Sequence, residues 1–390
     1  MAHYATSLQP LLLLQLLILI LPLLTFSSRL TFDDNPSKNG FRVNLTHIDA
    51  GLKNLTKLQL IQRAIINRVK PWLEKLSAIT KNGQIDDIRA PIYAGDGEFL
   101  MNLSIRTPVV LLVAIMDTAT PVFNPKLSSS FLDFTCSSNL CKALRNSRCG
   151  NGCCEYLNVS VPRIGFGCGV NNQVIGMNNV AGIVGLGRGT LSSVSQLGSR
   201  KFSYCFTSIG DNKSSSLLFG SLADLTVSNG AVKSTPLIRN PILPSFYYSS
   251  LEGITVRQTL LPIPKSLFQI GSDGGGGLMI DSGTTAFVAQ TKLQVSYSYT
   301  TEFDLCFDLL SKNVEEIKFP RLVFHFKGLD LELLPENYMI PDTKLGLACL
   351  TMRPTGRLSV FGNCQQRNML VLLDLKKNIL PFIPTKCDQL

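Results

Sequence analysis

The sequence predicts a mainly β protein made of two related β-rich lobes that flank a cleft. Of its 390 residues only 16% are charged, while 30 are Gly and 20 are Pro, a composition typical of chains with many strands and turns. Short alternating apolar segments bounded by turn residues, such as 99–105 and 322–326, predict the strands. An acidic turn followed at a distance by two apolar residues and a glycine occurs twice, which indicates homologous lobes.

The clearest motif is the segment 277–285, in which apolar residues lead into Asp281, Ser282, Gly283 and Thr284. The apolar run predicts a buried strand, and a carboxylate at its end is costly unless hydroxyl and backbone N–H groups donate to it. Ser and Thr supply hydroxyls here, and Gly lets the backbone turn tightly. An Asp-Ser-Gly triplet is also ordinary turn chemistry, but the surrounding pattern favours one half of a catalytic carboxylate pair.

The other half of the pair is predicted at Asp117. Residues 115–118 repeat, in a degraded form, the pattern around Asp281. Each acid is followed by an apolar pair that enters a glycine, at 183–187 in the first case and at 360–363 in the second. We therefore expect each lobe to present one carboxylate to a shared cleft.

Several further segments are typical of one family: 40–43, 95–101, 181–189, 201–205 and 362–368. In them the chain resembles the pepsin-like aspartic endopeptidases, specifically their cysteine-rich, nepenthesin-like plant branch, over nearly its whole length. The resemblance implies a bilobal pepsin-like aspartic protease fold. It also implies hydrolysis of peptide bonds in proteins or peptides at acid pH.

The resemblance assigns this chemistry to Asp117 and Asp281, whose carboxylates would hold and activate the attacking water. The residues that would support the two acidic loops are Thr118, Ser282, Gly283 and Thr284. No cofactor and no metal ion is expected. A metal or Ser/His/Asp enzyme is disfavoured because, of the three histidines, only His325 lies outside the predicted signal and pro-regions.

The chain departs from the family pattern in three places. After Thr118 it runs directly into Ala119 and a segment that normally lies further downstream, so we expect the amide of the family's glycine to be lost. After Leu157 the hairpin flap and its tyrosine are missing, so Tyr156 is not the flap tyrosine. After Thr285 a helix is missing. Loss of the flap and of water positioning predicts weak proteolysis or none.

Two accounts of these gaps remain open. The clean flanks favour missing exon segments of an active enzyme, through an imperfect gene model or a splice form. The alternative is a non-catalytic pepsin-fold protein that binds a partner or acts as a glycosidase inhibitor.

The chain divides into four predicted segments: a signal peptide at 1–28, a propeptide at 29–89, a shortened N-terminal lobe without its flap at 90–207 and a C-terminal lobe at 208–390. The leading apolar run is short for a membrane span, so a cleaved signal is favoured over an uncleaved anchor. The basic pro-region has helical spacing at Leu58, Ile61 and Ile65. It would cover the acidic cleft until the acids are protonated, or would be only a solvated helix.

The eleven cysteines and a secretory start predict disulfides rather than a zinc site. The resemblance implies the pairs Cys205–Cys387 and Cys306–Cys349, and a first-lobe group within 136–168. Cys364 occupies a position that is usually aromatic, and its simplest interpretation is a small buried apolar residue.

The remaining predictions concern location and partners. Five Asn-x-Ser/Thr sequons are glycosylation candidates, at Asn44, Asn54, Asn102, Asn158 and Asn212. They agree with export to the apoplast or vacuole through the secretory pathway. We expect a monomer that has no stable membrane span and binds no nucleic acid, because the basic residues are not interleaved with aromatic ones.

Overall fold

A computed structural model describes most of the chain from residue 41 onwards. The described residues are 41–50, 54–64, 66, 98–105, 110–119, 134–135, 154–156, 159–161, 168–169, 182–189, 192–209, 213–223, 232–285, 287–290, 303, 305–309, 317–355 and 358–390. The predicted signal peptide therefore lies outside them.

The first half of the described chain is built from ten short strands. They are β1 Phe41–His47, β2 Phe99–Ile105, β3 Val110–Asp117, β4 Phe134–Thr135, β5 Cys154–Tyr156, β6 Val159–Val161, β7 Cys168–Gly169, β8 Gly182–Gly185, β9 Lys201–Cys205 and β10 Ser215–Phe219. Two helices accompany them, α1 Lys57–Ala64 and α2 Ser193–Gln196, with a 3₁₀ turn at Gly220–Ala223.

The second half contributes fifteen further strands. They are β11 Ser234–Ile238, β12 Tyr247–Ser249, β13 Leu251–Val256, β14 Thr259–Leu260, β15 Leu278–Ile280, β16 Phe287–Gln290, β17 Cys306–Asp308, β18 Leu322–Phe326, β19 Leu329–Leu333, β20 Met339–Asp342, β21 Leu347–Leu350, β22 Met352–Thr355, β23 Ser359–Phe361, β24 Met369–Asp374 and β25 Ile379–Pro384. The 3₁₀ turns are Lys265–Phe268, Pro335–Asn337 and Cys387–Gln389. The prediction of a mainly β fold is confirmed.

One long sheet joins the two halves of the molecule. Its strands follow the order β22-β16-β23-β15-β12-β11-β25-β24-β9-β10-β1-β2-β3-β8, with β5 and β6 attached to β2. Smaller sheets are formed by β14-β13-β18-β19, by β17-β21-β20 and by β4-β7.

The internal repeat of the sequence is present as strand pairing. In the first half β3 runs parallel to β8, with Asp117 opposite Gly185. In the second half β15 runs parallel to β23, with Ile280 opposite Phe361. Each acid is thus carried at the end of a strand whose parallel neighbour is the apolar segment that enters the glycine.

Part of the predicted propeptide lies in the core of the fold. Strand β1 is sandwiched between β10 and β2, and its Val43 and Leu45 are fully buried. Helix α1 forms where the apolar spacing predicts a helix, and its Leu58 and Ile61 are fully buried against a cluster that includes Ile340 of β20. Ile65 lies outside the described residues. The boundaries between the four predicted segments stay predictions.

Stacked aromatic rings fill part of the core beneath strands β2 and β9. Phe99 of β2 stacks on Phe206 at 3.9 Å between ring centroids, and Phe206 stacks on Tyr204 of β9 at 4.6 Å. All three are fully buried. Burying one such side chain stabilises a fold by about 1.5–3 kcal/mol, so these rings contribute to holding β2 and β9 together.

Both predicted second-lobe disulfides are present. Cys205 pairs with Cys387 at a Cα–Cα distance of 5.3 Å, and Cys306 pairs with Cys349 at 4.0 Å. Cys364 is a free thiol and fully buried, and burial raises its pKa. The side chains of the first-lobe cysteine group lie outside the described part of the chain.

Among the described residues no helix is long and apolar enough to cross a membrane.

Candidate active site

The first acidic loop follows strand β3. Asp117 is the last residue of that strand and is only 4% exposed. The backbone N–H of Ala119 donates to Asp117 Oδ1 at 2.7 Å, and the N–H of Leu186 donates to the Asp117 carbonyl at 2.8 Å. The carboxylate is therefore oriented by the turn that follows it, as the sequence predicts for a buried acid.

The second acidic loop has the same geometry. Asp281 follows β15 and is 2% exposed. The N–H of Gly283 donates to Asp281 Oδ1 at 2.7 Å, the distance found for Ala119 in the first loop. The hydroxyl of Thr284 donates to Asp281 Oδ2. Two different oxygens of this carboxylate thus have their own donor.

The two loops are bound to each other by a reciprocal pair of hydrogen bonds. The N–H of Thr118 donates to Ser282 Oγ at 3.0 Å, and the N–H of Ser282 donates to Thr118 Oγ1 at 2.8 Å. Both hydroxyl residues are fully buried. Since each lies directly after its acid in the chain, these bonds bring Asp117 and Asp281 onto adjoining loops in a two-fold arrangement.

The expected loss of the glycine amide in the first loop does not occur. Ala119 stands where the family has glycine, and its amide makes the contact with Asp117 that the Gly283 amide makes with Asp281. The backbone N–H, not the missing side chain, is the functional part of that position, so alanine supplies it equally well. Residues 120–133 lie outside the described chain.

Sequence reasoning assigned no role to three residues that support the second loop. The amide of Gln366 donates to the carbonyls of Asp281 at 3.2 Å and Phe361 at 2.6 Å, and the amide of Asn363 donates to the Ser282 carbonyl at 3.0 Å. The hydroxyl of Tyr204 donates to Gln366. These residues lie in the family-like segments 201–205 and 362–368, which was the only signal for them.

The charge of Asp281 reaches this supporting network. The pKa of Tyr204 is raised well above its ordinary value, first by burial and then by the nearby Asp281 carboxylate. Tyr204 therefore remains a neutral hydrogen-bond donor. It fixes the Gln366 amide, which in turn fixes the backbone on which Asp281 is carried.

The regions of the other two predicted gaps are only partly described. Strands β5 and β6 pair as a short hairpin, with Tyr156 opposite Val159, and β5 adds to the edge of β2. Residues 157–158 between them lie outside the described chain. After Thr285, strand β16 begins at Phe287, and residues 291–302 are again outside it.

The glycosylation candidates divide in the same way. Asn44, Asn54 and Asn102 have exposed side chains. Asn158 and Asn212 lie outside the described residues.

Within the part of the chain that the structure describes, no three His, Cys, Asp or Glu side chains are grouped so that they could hold a metal ion.

Each half of the molecule carries a buried acid on a pair of parallel strands, and the two acidic loops are hydrogen-bonded to each other. This arrangement defines the class of bilobal aspartic proteinases. Sequence-family models agree: the model described as Xylanase inhibitor C-terminal matches residues 246–384, and Xylanase inhibitor N-terminal matches residues 155–221.

Curated relatives make the assignment narrower. The chain is 42% identical to aspartic proteinase nepenthesin-1 of Nepenthes gracilis, over 89% of this chain and 90% of that protein. It is 38% identical to nepenthesin-2 of the same plant, with the same coverage, and 31% identical to aspartyl protease family protein 2 of Arabidopsis thaliana, over 88% and 85% of the two chains. The chain belongs to the nepenthesin-like aspartic proteinases.

Solved structures show the likeness of fold. The crystal structure of edgp superposes with a TM-score of 0.59 at 16% identity, covering 90% of this chain and 96% of that one. Conglutin gamma from lupine seeds superposes with a TM-score of 0.52 at 18% identity, covering 74% and 91%.

Proposed function

We propose that the chain is an aspartic endopeptidase that hydrolyses peptide bonds in proteins at acid pH, with Asp117 and Asp281 as its catalytic pair. The observation that carries the proposal is the reciprocal bonding of Thr118 and Ser282, together with the matched amide contact to each carboxylate. A protein that only binds a partner has no need of two acids held in this symmetric way. Membership of the nepenthesin-like family supports the same conclusion.

The mechanism follows from two carboxylates that face one water molecule. Two such acids close together cannot both be ionised, so they share one proton, which is the general behaviour of aspartic-protease pairs. The ionised acid takes a proton from the attacking water, while the protonated acid donates to the carbonyl oxygen of the peptide bond. No covalent intermediate with the protein is formed.

The residues around Asp117 and Asp281 hold the two carboxylates in a fixed orientation for this proton exchange. The amides of Ala119 and Gly283 each hold one oxygen, and the Thr284 hydroxyl holds the second oxygen of Asp281. Because donors of fixed direction orient both acids before substrate arrives, little reorganisation is needed in the transition state.

The test is proteolysis by the purified full chain after acidification, with and without a statine-type transition-state peptide. We expect inhibitor-sensitive cleavage of a denatured protein substrate, reduced about 100-fold or more in Asp117→Asn and in Asp281→Asn. Asp308→Asn, at an exposed position on β17, is the matched control. A folded wild-type chain with no inhibitor-sensitive cleavage would overturn the proposal.

The second candidate is a non-catalytic binding protein. It is favoured by the sequence gaps after Thr118 and Leu157, and by the names of the two matching family models, which are described as xylanase inhibitor domains. A folded chain that inhibits a glycosidase and cleaves no protein would support this candidate. Transcript reads with extra in-frame sequence after Thr118 would instead support the protease.

We also propose that the chain is made as a secreted zymogen and works as a monomer. The exposed sequons at Asn44, Asn54 and Asn102 and the two disulfides suit the secretory pathway. The proposed products are a signal peptide ending at 28 and a propeptide ending at 89. N-terminal sequencing of the secreted protein, its glycosidase-sensitive mass and the pH dependence of processing test these points.

A further inference from the structure

We propose that Thr255, His325 and Asp330 form a second nucleophilic site, separate from the acidic pair, in which Thr255 is acylated by activated esters. The Thr255 hydroxyl lies 2.7 Å from His325 Nε2, and His325 Nδ1 lies 2.7 Å from Asp330 Oδ1. A hydroxyl, an imidazole and a carboxylate bonded in this order are the arrangement that activates a nucleophile by general-base catalysis.

The register of three strands produces this arrangement. His325 of β18 is directly opposite Asp330 of β19. Thr255 of β13 is opposite Val323, two residues from His325, so both side chains lie on the same face of the sheet. The alternate residues of β19, such as Leu331, are buried on the other face, which leaves the trio on the outer one.

A glycine lies opposite the imidazole on the neighbouring strand. Gly253 is the cross-strand partner of His325, and a Cβ at that position would lie 3.9 Å from the imidazole Cδ2 and 3.0 Å from Leu260 Cδ1. The absence of a side chain at Gly253 therefore leaves room for Leu260, while such a Cβ would make only an ordinary van der Waals contact with the ring. Leu260, which is 62% exposed, adds an apolar surface beside it.

The hydrogen bonds determine which imidazole nitrogen is the base. An ionised Asp330 can only accept, so His325 Nδ1 must carry the proton in that bond. In the neutral ring Nε2 is then an acceptor, and Thr255 must donate its hydroxyl hydrogen to it. This is the tautomer that general-base activation of Thr255 requires.

Nearby charges have partners of their own. Glu332, also on β19, pairs with Arg321 at 2.7 Å, and Glu252 pairs with Lys265 at 3.6 Å. Asp330 is therefore the carboxylate that meets the imidazole. The side chains of His325 and Asp330 are 32% and 67% exposed, so a small reagent can reach the site from solvent.

The reaction is acyl transfer. Thr255 Oγ1 forms a bond to the carbonyl carbon of an aryl ester as the bond to the aryloxide breaks, and the hydroxyl proton passes to His325 Nε2 and then to the aryloxide. Water, deprotonated by His325, next bonds to the acyl carbon as the bond from that carbon to Thr255 Oγ1 breaks. His325 returns the proton to Thr255 Oγ1, and the carboxylic acid leaves. A good leaving group is required because it lowers the demand for stabilisation of the tetrahedral oxyanion.

The test uses 4-nitrophenyl acetate on the full chain. At pH 8 we expect a burst of nitrophenol and an acetylated peptide that contains Thr255, with the burst rate reduced about 100-fold in Thr255→Val and in His325→Gln. Thr259→Val, exposed on the neighbouring strand β14, is the control. A burst in Thr255→Val equal to that of the wild type, or an acetyl group found only on lysine, would overturn the proposal.

Inhibition separates this site from the acidic pair. A statine-type inhibitor should leave the burst unchanged. Asp330 acts as a positioning residue that orients the imidazole through its contact with His325 Nδ1. Asp330→Asn should therefore lower the burst rate and Asp330→Glu should restore most of it; equal rates in the two variants would count against that role.

Discussion

At the level of single residues, the bonds between Thr118 and Ser282 are the most sensitive feature of the site. Each hydroxyl accepts from a backbone N–H of the opposite loop, and both residues are fully buried. Removing one acceptor leaves a buried donor without a partner, whereas a neutral exchange of hydroxyl residues keeps it satisfied.

We therefore expect Ser282→Ala to lower the free energy of unfolding by about 1–3 kcal/mol and to reduce kcat of any proteolysis more than it changes KM. Ser282→Thr should restore most of both, because it keeps the hydroxyl. Denaturant unfolding and steady-state kinetics measure the two effects. The exposed Ser266→Ala serves as control, and an alanine variant at 282 as stable and active as this control would contradict the expectation.

The sequence located these residues by local rules. Apolar residues before Asp281 and hydroxyls after it predict a buried carboxylate with donors, and the structure places those donors on it. The role of the Ala119 amide could not be predicted, because it depends on whether the chain turns back at that junction. The absence of the family's glycine suggested that an amide donor to Asp117 is lost. The folded loop supplies that donor from the backbone of Ala119.

At the level of elements, helix α1 is held at three points. Thr56 and Gln59 cap its first turn reciprocally, since the N–H of Thr56 donates to Gln59 Oε1 at 2.9 Å and the N–H of Gln59 donates to Thr56 Oγ1 at 3.2 Å. The hydroxyl of Thr56 also donates to Asp342 Oδ2 of β20 at 2.5 Å. Leu58 and Ile61 complete the attachment through burial.

We expect Leu58→Ala to weaken the attachment of α1 by about 2–5 kcal/mol, the range for a buried leucine. The helix should then be cut by a neutral protease faster than the strands of the long sheet. Limited proteolysis followed by mass spectrometry measures this, with the exposed Lys57→Ala as the matched control. Equal cutting rates in the two variants would show that the burial of Leu58 does not hold the helix.

Helical spacing predicted that α1 would form, but not where it would bind. Amphipathic periodicity can be recognised within one short segment of sequence. The surface to which the helix binds is assembled from distant parts of the chain. Ile209, Phe303 and Ile340 meet the helix in one cluster. Strand β1 was not predicted from the sequence, and only the assembled sheet places it between β10 and β2.

At the level of the whole molecule, buried tyrosines make the stability of the fold depend on pH in the alkaline range. Burial raises the pKa of Tyr204, Tyr247 and Tyr248, and Tyr247 donates its hydroxyl to the Leu186 carbonyl of the first half at 2.6 Å. In the unfolded chain a tyrosine ionises near its ordinary pKa of about 10. At a pH between the unfolded-state pKa and the raised folded-state pKa, the folded protein holds more protons than the unfolded one.

The sign of the effect follows from this difference in bound protons. The stability contributed by the protonated tyrosines is fully present below pH 10 and is lost as the pH rises above it. In an ultraviolet titration we expect three of the nine tyrosines to ionise only together with unfolding, as followed by circular dichroism. Reversible ionisation of all of them at pH 10 in a folded chain would contradict the assignment.

Local sequence predicted strands such as β2 and β18, the two acids, the hydroxyls beside them and helix α1, because hydrophobic periodicity and turn chemistry act over a few neighbouring residues. Tertiary structure decided which of these groups meet. Thr118 and Ser282 are 164 residues apart, and Thr255 and His325 are 70 apart. Such pairs depend on strand register and on the docking of the two halves, and both are set by the packing of the whole core.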